Sequence, residues 1–189
     1  MALAQEKYYT AEDFYNMPED IRAELINGEI VYMAAPSRIH QKILMELSTL
    51  INYYIKTKKG KCEVYPAPFS VQLRKSEDIV IEPDISVLCD KNKLNRRGCL
   101  GAPDWIIEIV SPSNPQHDYI DKLILYAKAS VREYWIVDPQ TQNIYVYTLE
   151  PEHFSVKVYT FHDTVKVGIY EDLFIDFAVF DLDELSDSE

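Results

Sequence analysis

The sequence predicts an α/β chain: a mixed β-sheet core flanked by helices, with extra β-hairpins. Hydrophobic periodicity switches repeatedly between two and three-to-four residues, as it does where strands give way to helices. The elements run hairpin, helix, strands, helix, strands, without the strict alternation of an all-parallel sheet. Of the 189 residues 47% are hydrophobic and 26% charged, enough for a sizeable core in a single domain spanning 1–189.

Thr10 followed by Asp13 marks a helix start, and Pro18 ends what forms there. Asn27-Gly28 between two apolar stretches is a hairpin signal, because both turn positions need positive φ. Ser37 opens a helix to about Lys58, with Ile39, Ile43, Leu47, Leu50, Ile51 and Tyr54 as its buried stripe and Gly60 as its stop. Strands are expected at about 62–73, bent at Pro66 and Pro68, and at 80–89, 104–110 and 132–138, all in one core sheet. Between them, 90–101 reads as a basic, glycine-containing loop. Asn114 and Pro115 start a second helix that runs to about Ala129. Later strands are expected at 144–149, 154–160 and 164–169. Their Tyr, Val and Ile side chains would leave edges that need covering, which predicts a homodimer.

Net charge is −12, a poor overall surface for nonspecific binding to phosphates. Eight of the 31 acids lie in 171–189, which holds no Lys or Arg and reads as an acidic tail. Without that segment 23 acids face 19 bases, a net of −4, so the body is nearly balanced. No apolar run is long enough to span a membrane, and the N-terminus lacks the basic start and apolar run of a signal peptide. Cys62, Cys89 and Cys99 are odd in number and widely spaced, and are expected as three reduced thiols in a cytoplasmic protein.

Glu108 is the informative residue. It sits inside WIIEIV, a strand that should be buried on both faces, where an unpaired charge costs several kcal/mol. Alternation puts Ile106, Glu108 and Val110 on one face and Trp105, Ile107 and Ile109 on the other. Asp84, after Pro83, stands just inside the preceding apolar strand. Neighbouring strands that each present one carboxylate make a natural Mg²⁺ (or Mn²⁺) site, since that ion takes one or two carboxylates and keeps several waters. The competing reading is a buried acid satisfied by a tyrosine or lysine, with Asp84 serving only a turn.

Pro83-Asp84 followed by Glu108-Ile109-Val110 resembles the signature of the PD-(D/E)XK nuclease superfamily. The usual lysine would stand at 110, where this chain has valine; Lys122 on the next helix supplies the substitute. The longer phrases ELINGEIV, PSRIHQ, EPDISVL, GAPDWIIEIVSPS and DKLILYAKASVREYWIVDP are similar to one branch, a restriction-endonuclease family long catalogued as a domain of unknown function and abundant in cyanobacteria. The resemblance covers residues 8 to 150. It implies a restriction-endonuclease-like core and metal-dependent phosphodiester cleavage in DNA. Asp84 and Glu108 would bind the metal with the Ile109 carbonyl, and Lys122 would hold the attacking water. Glu24 is the third acid, with Glu46 its rival and an exposed strand acid as the alternative. His40 matches the family's S-x-x-H phrase and is a candidate phosphate contact or a structural histidine; His117 and Asp118 are weaker candidates. Lys91, Lys93, Arg96 and Arg97, with Lys56, Lys58, Lys59 and Lys61 as a second cluster, are candidate nucleic-acid contacts or simply solvated charge. Two alternatives stay open: a degenerate nuclease fold that only binds a partner, and a module that adds a partner's strand to its hairpins.

Overall fold

The computed structural model describes residues 7–18, 20–111, 117–180 and 182. Helix α1 (Ala11–Tyr15) begins in a capping box: the Thr10 side chain accepts from the Asp13 N–H while the Asp13 carboxylate accepts from the Thr10 N–H. Strands β1 (Ala23–Ile26) and β2 (Glu29–Tyr32) pair antiparallel across Asn27 (φ 51°) and Gly28 (φ 85°). Both turn residues are thus left-handed, as this hairpin demands. The Tyr8 ring lies so close over Gly28 that a Cβ there would come within 2.1 Å of it.

Helix α2 (Arg38–Thr57) starts at Ser37, whose side chain accepts from the His40 N–H. Ile43, Leu47 and Ile51 of the expected stripe are buried, joined by Leu44 and Ile55. The left-handed residue after the helix is Lys59 (φ 51°) rather than the expected Gly60.

The stretches 62–73 and 80–89 each read as one strand, and each is two. The first divides into β3 (Glu63–Pro66) and β4 (Val71–Gln72), the second into β5 (Val80–Ile81) and β6 (Ile85–Leu88). The breaks fall at Pro66, Pro68 and Pro83, residues that have no N–H to give a ladder. The chain uses these breaks to change sheets, so there are two six-stranded sheets where one was expected. The expected loop at 90–101 is a 3₁₀ turn (Lys91–Lys93) and a hairpin of β7 (Leu94–Asn95) and β8 (Gly98–Leu100). Then come β9 (Trp105–Ile109), a π-helical turn (His117–Lys122) running into α3 (Leu123–Ala129), β10 (Glu133–Asp138), β11 (Asn143–Thr148) and β12 (Ser155–Thr160). The predicted helix start at Asn114 and Pro115 lies outside the described residues. Strands β13 (Thr164–Lys166) and β14 (Phe174–Asp176) form a small separate ribbon.

The first sheet has the order β2-β1-β5-β4-β8-β7 and the second β12-β11-β10-β9-β6-β3. The second is mixed: β9 runs parallel to β10 and antiparallel to β6. Trp105, Ile107 and Ile109 pack with α2 in one core, while Ile106 and Val110 pack with Tyr126, Tyr134 and Ile136 in another. This is the division of faces that alternation predicts for β9.

One expectation is corrected. Cys62 and Cys89 are joined in a disulfide, because β3 and β6 pair Glu63 with Leu88 and so bring the next two residues opposite, 3.9 Å apart at Cα. Cys99 alone is free, and burial pushes its thiol up to about 12. The described part of the segment read as an acidic tail from 171 packs onto the body of the chain. Leu173, Ile175, Phe177, Phe180 and Leu182 pack into the α2 core, and Asp172 accepts from Tyr54 and Lys58. The last seven residues lie outside the described set.

Glu133 pins this C-terminal segment. Its side chain is buried and accepts from the Trp135 indole N–H (2.6 Å), the Gly168 N–H (3.0 Å) and the Ile169 N–H (2.8 Å). Burial still raises its pKa above the ordinary 4.5. The charged form is therefore disfavoured in the fold, and stability present below 4.5 is lost as pH rises through the folded value. Glu133→Gln cannot reproduce all three acceptors, so it should cost about 1–3 kcal/mol at low pH. That deficit should shrink as pH rises above 4.5, a trend that urea denaturation at pH 4.5 and 7 measures.

Candidate active site

Four side chains from both sheets and the following helix converge at the foot of one cleft. Glu108 leaves β9 on the face turned to α3. Its Oε1 accepts from the Lys122 ammonium at 2.9 Å and the Tyr126 hydroxyl at 2.5 Å. Lys122 and Tyr126 are four residues apart on one helical face, which is why both reach the same oxygen. Lys122 is also 3.3 Å from Glu24 Oε1 on β1. Exposure is 5% for the Lys122 side chain, 3% for Glu108 and 2% for Glu24, so this is a buried triad with one cation between two acids. Burial, reinforced by the Glu108 charge, drives the Tyr126 hydroxyl well above its ordinary pKa, which keeps it a donor.

Asp84 follows Pro83 in the crossing between β5 and β6. The Asp84 N–H points at Glu108 Oε2 (3.4 Å), and its Oδ2 accepts from the Ile109 N–H (2.8 Å). Asp84 thus stands opposite Glu108, just before β6 begins to pair with β9. His40, from the first turn of α2, meets the same Asp84 oxygen through Nε2 at 3.1 Å, and its buried Nδ1 has no partner among the described residues. Glu24 Oε1 also accepts from the Glu82 N–H (3.0 Å), so Glu24 braces the β5–β6 crossing as well as Lys122.

Glu24, His40, Asp84, Glu108 and Lys122 line a cleft of about 440 Å³. Arg22, Tyr32, Met33, Pro36 and Pro68 stand around its mouth and walls, and Ile109 lies at its foot. Asp84, Glu108, Lys122, Glu24, Ile109 and His40 are therefore brought together. The reading of Glu24 as an exposed acid is corrected: it is buried. Its rival Glu46 pairs with Lys42 on the outer face of α2 (2.7 Å) and does not line the cleft.

The basic residues of 91–97 lie between the two site strands in the chain, as expected, but in a 3₁₀ turn and a hairpin rather than a loop, and they do not line the cleft. They occupy the 3₁₀ turn and the β7–β8 hairpin, on the edge of the first sheet opposite β1–β2. Lys91 pairs with Glu63 (2.6 Å), Lys93 donates to the Ala102 carbonyl (2.7 Å), and Arg97 pairs with Glu12 (3.1 Å) over the Tyr15 ring. Arg96 is exposed on the same hairpin. The side chains of His117 and Asp118 lie outside the described residues. Sequence reasoning missed Tyr126, although its place four residues after Lys122 was a usable signal. It also missed Arg22 and Tyr32, which the fold alone carries to the cleft mouth.

Among the described residues no three His, Cys, Asp or Glu side chains form a metal-holding group. A zinc centre, with three or four nitrogen or sulfur ligands, thus has no donor set here. Two adjacent carboxylates opening on a cleft do match the modest demand of Mg²⁺ or Mn²⁺ for protein ligands.

The chain is a mixed α/β protein with a restriction-endonuclease-like fold, as its family and its structural match show. The chain is a member of the Uma2 family, described as "Putative restriction endonuclease", whose model matches residues 11–176. It is similar to two uncharacterized proteins of Synechocystis sp. strain PCC 6803. One is 28% identical over 125 residues, covering 66% of this chain and 64% of the relative; the other is 26% identical, covering 73% and 79%. The chain thus spans less than two thirds of the first relative's length. Its fold matches the crystal structure of a putative nuclease belonging to DUF820 from Anabaena variabilis. The TM-score is 0.73 and the identity 24%, with 90% of this chain and 96% of that one covered. No described helix is long and apolar enough to cross a membrane.

Lys122→Met would leave two buried carboxylates facing each other without their cation. Chemical denaturation should show a loss of about 3–5 kcal/mol. Tyr126→Phe removes one hydrogen bond and should cost only about 1–2 kcal/mol.

Proposed function

We propose that the chain is a nuclease that hydrolyses phosphodiester bonds in DNA with Mg²⁺ or Mn²⁺ as cofactor. The observation that carries this reading is the convergence of Asp84, Glu108 and Lys122 at the foot of one cleft in a restriction-endonuclease-like chain. Asp84 and Glu108 would hold the ion, with the Ile109 carbonyl as a further ligand. When bound, the ion supplies Lewis acidity toward a phosphoryl oxygen and lowers the pKa of a coordinated water.

The chain's own groups do the rest. Tyr126 and Lys122 occupy Glu108 Oε1, so Oε2 is the oxygen turned toward Asp84. His40 and the Ile109 N–H hold Asp84 Oδ2 in one orientation. Lys122, kept in place by Glu24, offsets negative charge that grows on the phosphoryl oxygens and orients the attacking water. One water adds to phosphorus and gives a proton to solvent. The bond from phosphorus to the sugar oxygen breaks, and that oxygen takes up a proton from water.

The test is cleavage of end-labelled DNA with Mg²⁺, with Mn²⁺ and with chelator, alongside calorimetric Mn²⁺ titration. Both metals should support cleavage, and chelator should stop it. Asp84→Asn and Glu108→Gln should each lower the rate at least 100-fold and weaken Mn²⁺ binding at least 10-fold. Cleavage that persists in chelator, or is indifferent to Asp84→Asn, would overturn the reading. Absence of any metal effect would favour a fold that only binds.

The proposal includes a homodimer formed along β12, the outer strand of the second sheet, which exposes Val156 (48%), Val158 (58%) and the adjoining Phe154 (61%). Light scattering at micromolar concentration should return twice the chain mass; a monomer there would refute it.

A further inference from the structure

The cleft joins its acids to an apolar wall that carries an exposed tyrosine. Its acids outnumber its cations: among the described lining residues Glu24, Asp84 and Glu108 face only Arg22, Lys122 and the imidazole of His40. A protein that grips duplex DNA draws most of its affinity from phosphates neutralised by lysine and arginine. Outside the cleft, several basic side chains are engaged within the molecule. Lys58 pairs with Asp172, Lys91 with Glu63 and Arg97 with Glu12, while Lys93 binds the Ala102 carbonyl.

The walls offer something else. Val31, Tyr32, Met33, Ala34 and Pro36 form one side, and Ala67 and Pro68 another. Tyr32 is 72% exposed at the end of β2, the outer strand of its sheet, and still lines the cleft. An exposed tyrosine beside a half-enclosed apolar hollow is a stacking platform, which a base can use only when it is not paired. The hollow, about 440 Å³, is in the range that encloses one small organic group. Arg22 at the rim is placed for a neighbouring phosphate.

We infer that the substrate is single-stranded DNA, bound with one unpaired base against Tyr32 and its scissile phosphate over Asp84 and Glu108. This rests on the hydrolase reading above for the acids, but not for the binding step. Affinity comes mainly from base contact and only weakly from charge.

The experiment is fluorescence anisotropy of the full chain in Ca²⁺, with a labelled 12-nucleotide single strand and its 12-base-pair duplex. The single strand should bind at least 10-fold tighter. Tyr32→Ala should lower its affinity about 5–100-fold, while Tyr32→Phe, which keeps the ring, stays within about 2-fold. With two cationic contacts the slope of log affinity against log salt should be about −1.4. Equal or tighter duplex binding, indifference to Tyr32→Ala, or no binding of either probe would overturn the inference. Cleavage of the two probes in Mg²⁺ by wild type and Glu108→Gln separates the two ideas. Glu108-dependent cutting of duplex without single-strand preference removes this inference alone. Tyr32-dependent single-strand binding without cutting supports it and removes the hydrolase reading.

Discussion

Lys122 carries its ammonium into a place that water hardly reaches, between Glu108 on a central strand of one sheet and Glu24 on a strand of the other. Removing three charged groups from water is affordable only if each meets an opposite charge or a donor at close range. That requirement reaches far through the structure. Glu24 must be brought in by the β1–β2 hairpin, and its orientation is secured by the Glu82 N–H in the crossing between sheets. Asp84, two residues on, is held against Ile109 by the backbone of the strand that bears Glu108. The site therefore forms at the seam of the two sheets, where Pro83 interrupts one ladder and lets the chain join another.

A buried glutamate alone would not have located this seam. Glu133, on the strand next to β9, is as deeply buried as Glu108, and its partners assign it another role. It is satisfied by two backbone N–H groups and an indole N–H, all fixed donors, and it opens on no described cleft. Glu108 is satisfied by a lysine and a tyrosine on one oxygen, while the other turns to a second acid at a cavity floor. The first arrangement closes a core; the second leaves room for a ligand. The distinction lies in the donors and in what stands beside the acid.

Features decided by near neighbours in the chain were legible beforehand. The two faces of β9 follow from alternation, the hairpin from Asn27-Gly28, and the α2 stripe from its spacing. The convergence of Asp84, Glu108 and Lys122 rested on a motif in which valine stands at the usual lysine position. What could not be read depends on long-range pairing. The Cys62–Cys89 bridge needs the register of β3 against β6, which no spacing within 27 residues announces. The proline breaks were visible as bends, but a bend does not say that the next strand joins a different sheet. In the basic run at 91–97, the partners of Lys91 and Arg97 are glutamates at 63 and 12, far off in sequence, so the pairing could not be read locally.

Val110 gives the last step of the argument. It is 3% exposed, on the Glu108 face of β9, packed among Ile106, Ile136 and Tyr126. A lysine there would place its longer, charged side chain in an apolar cluster. The π-helical turn from His117 to Lys122 ends at the residue where α3 begins, and widened turns of this kind recur at functional sites. Lys122 and Tyr126 then descend together on the carboxylate from one side. The helix-borne lysine thus goes with an apolar residue at 110: Tyr126, in the same apolar cluster as Val110, is also the second donor to Glu108.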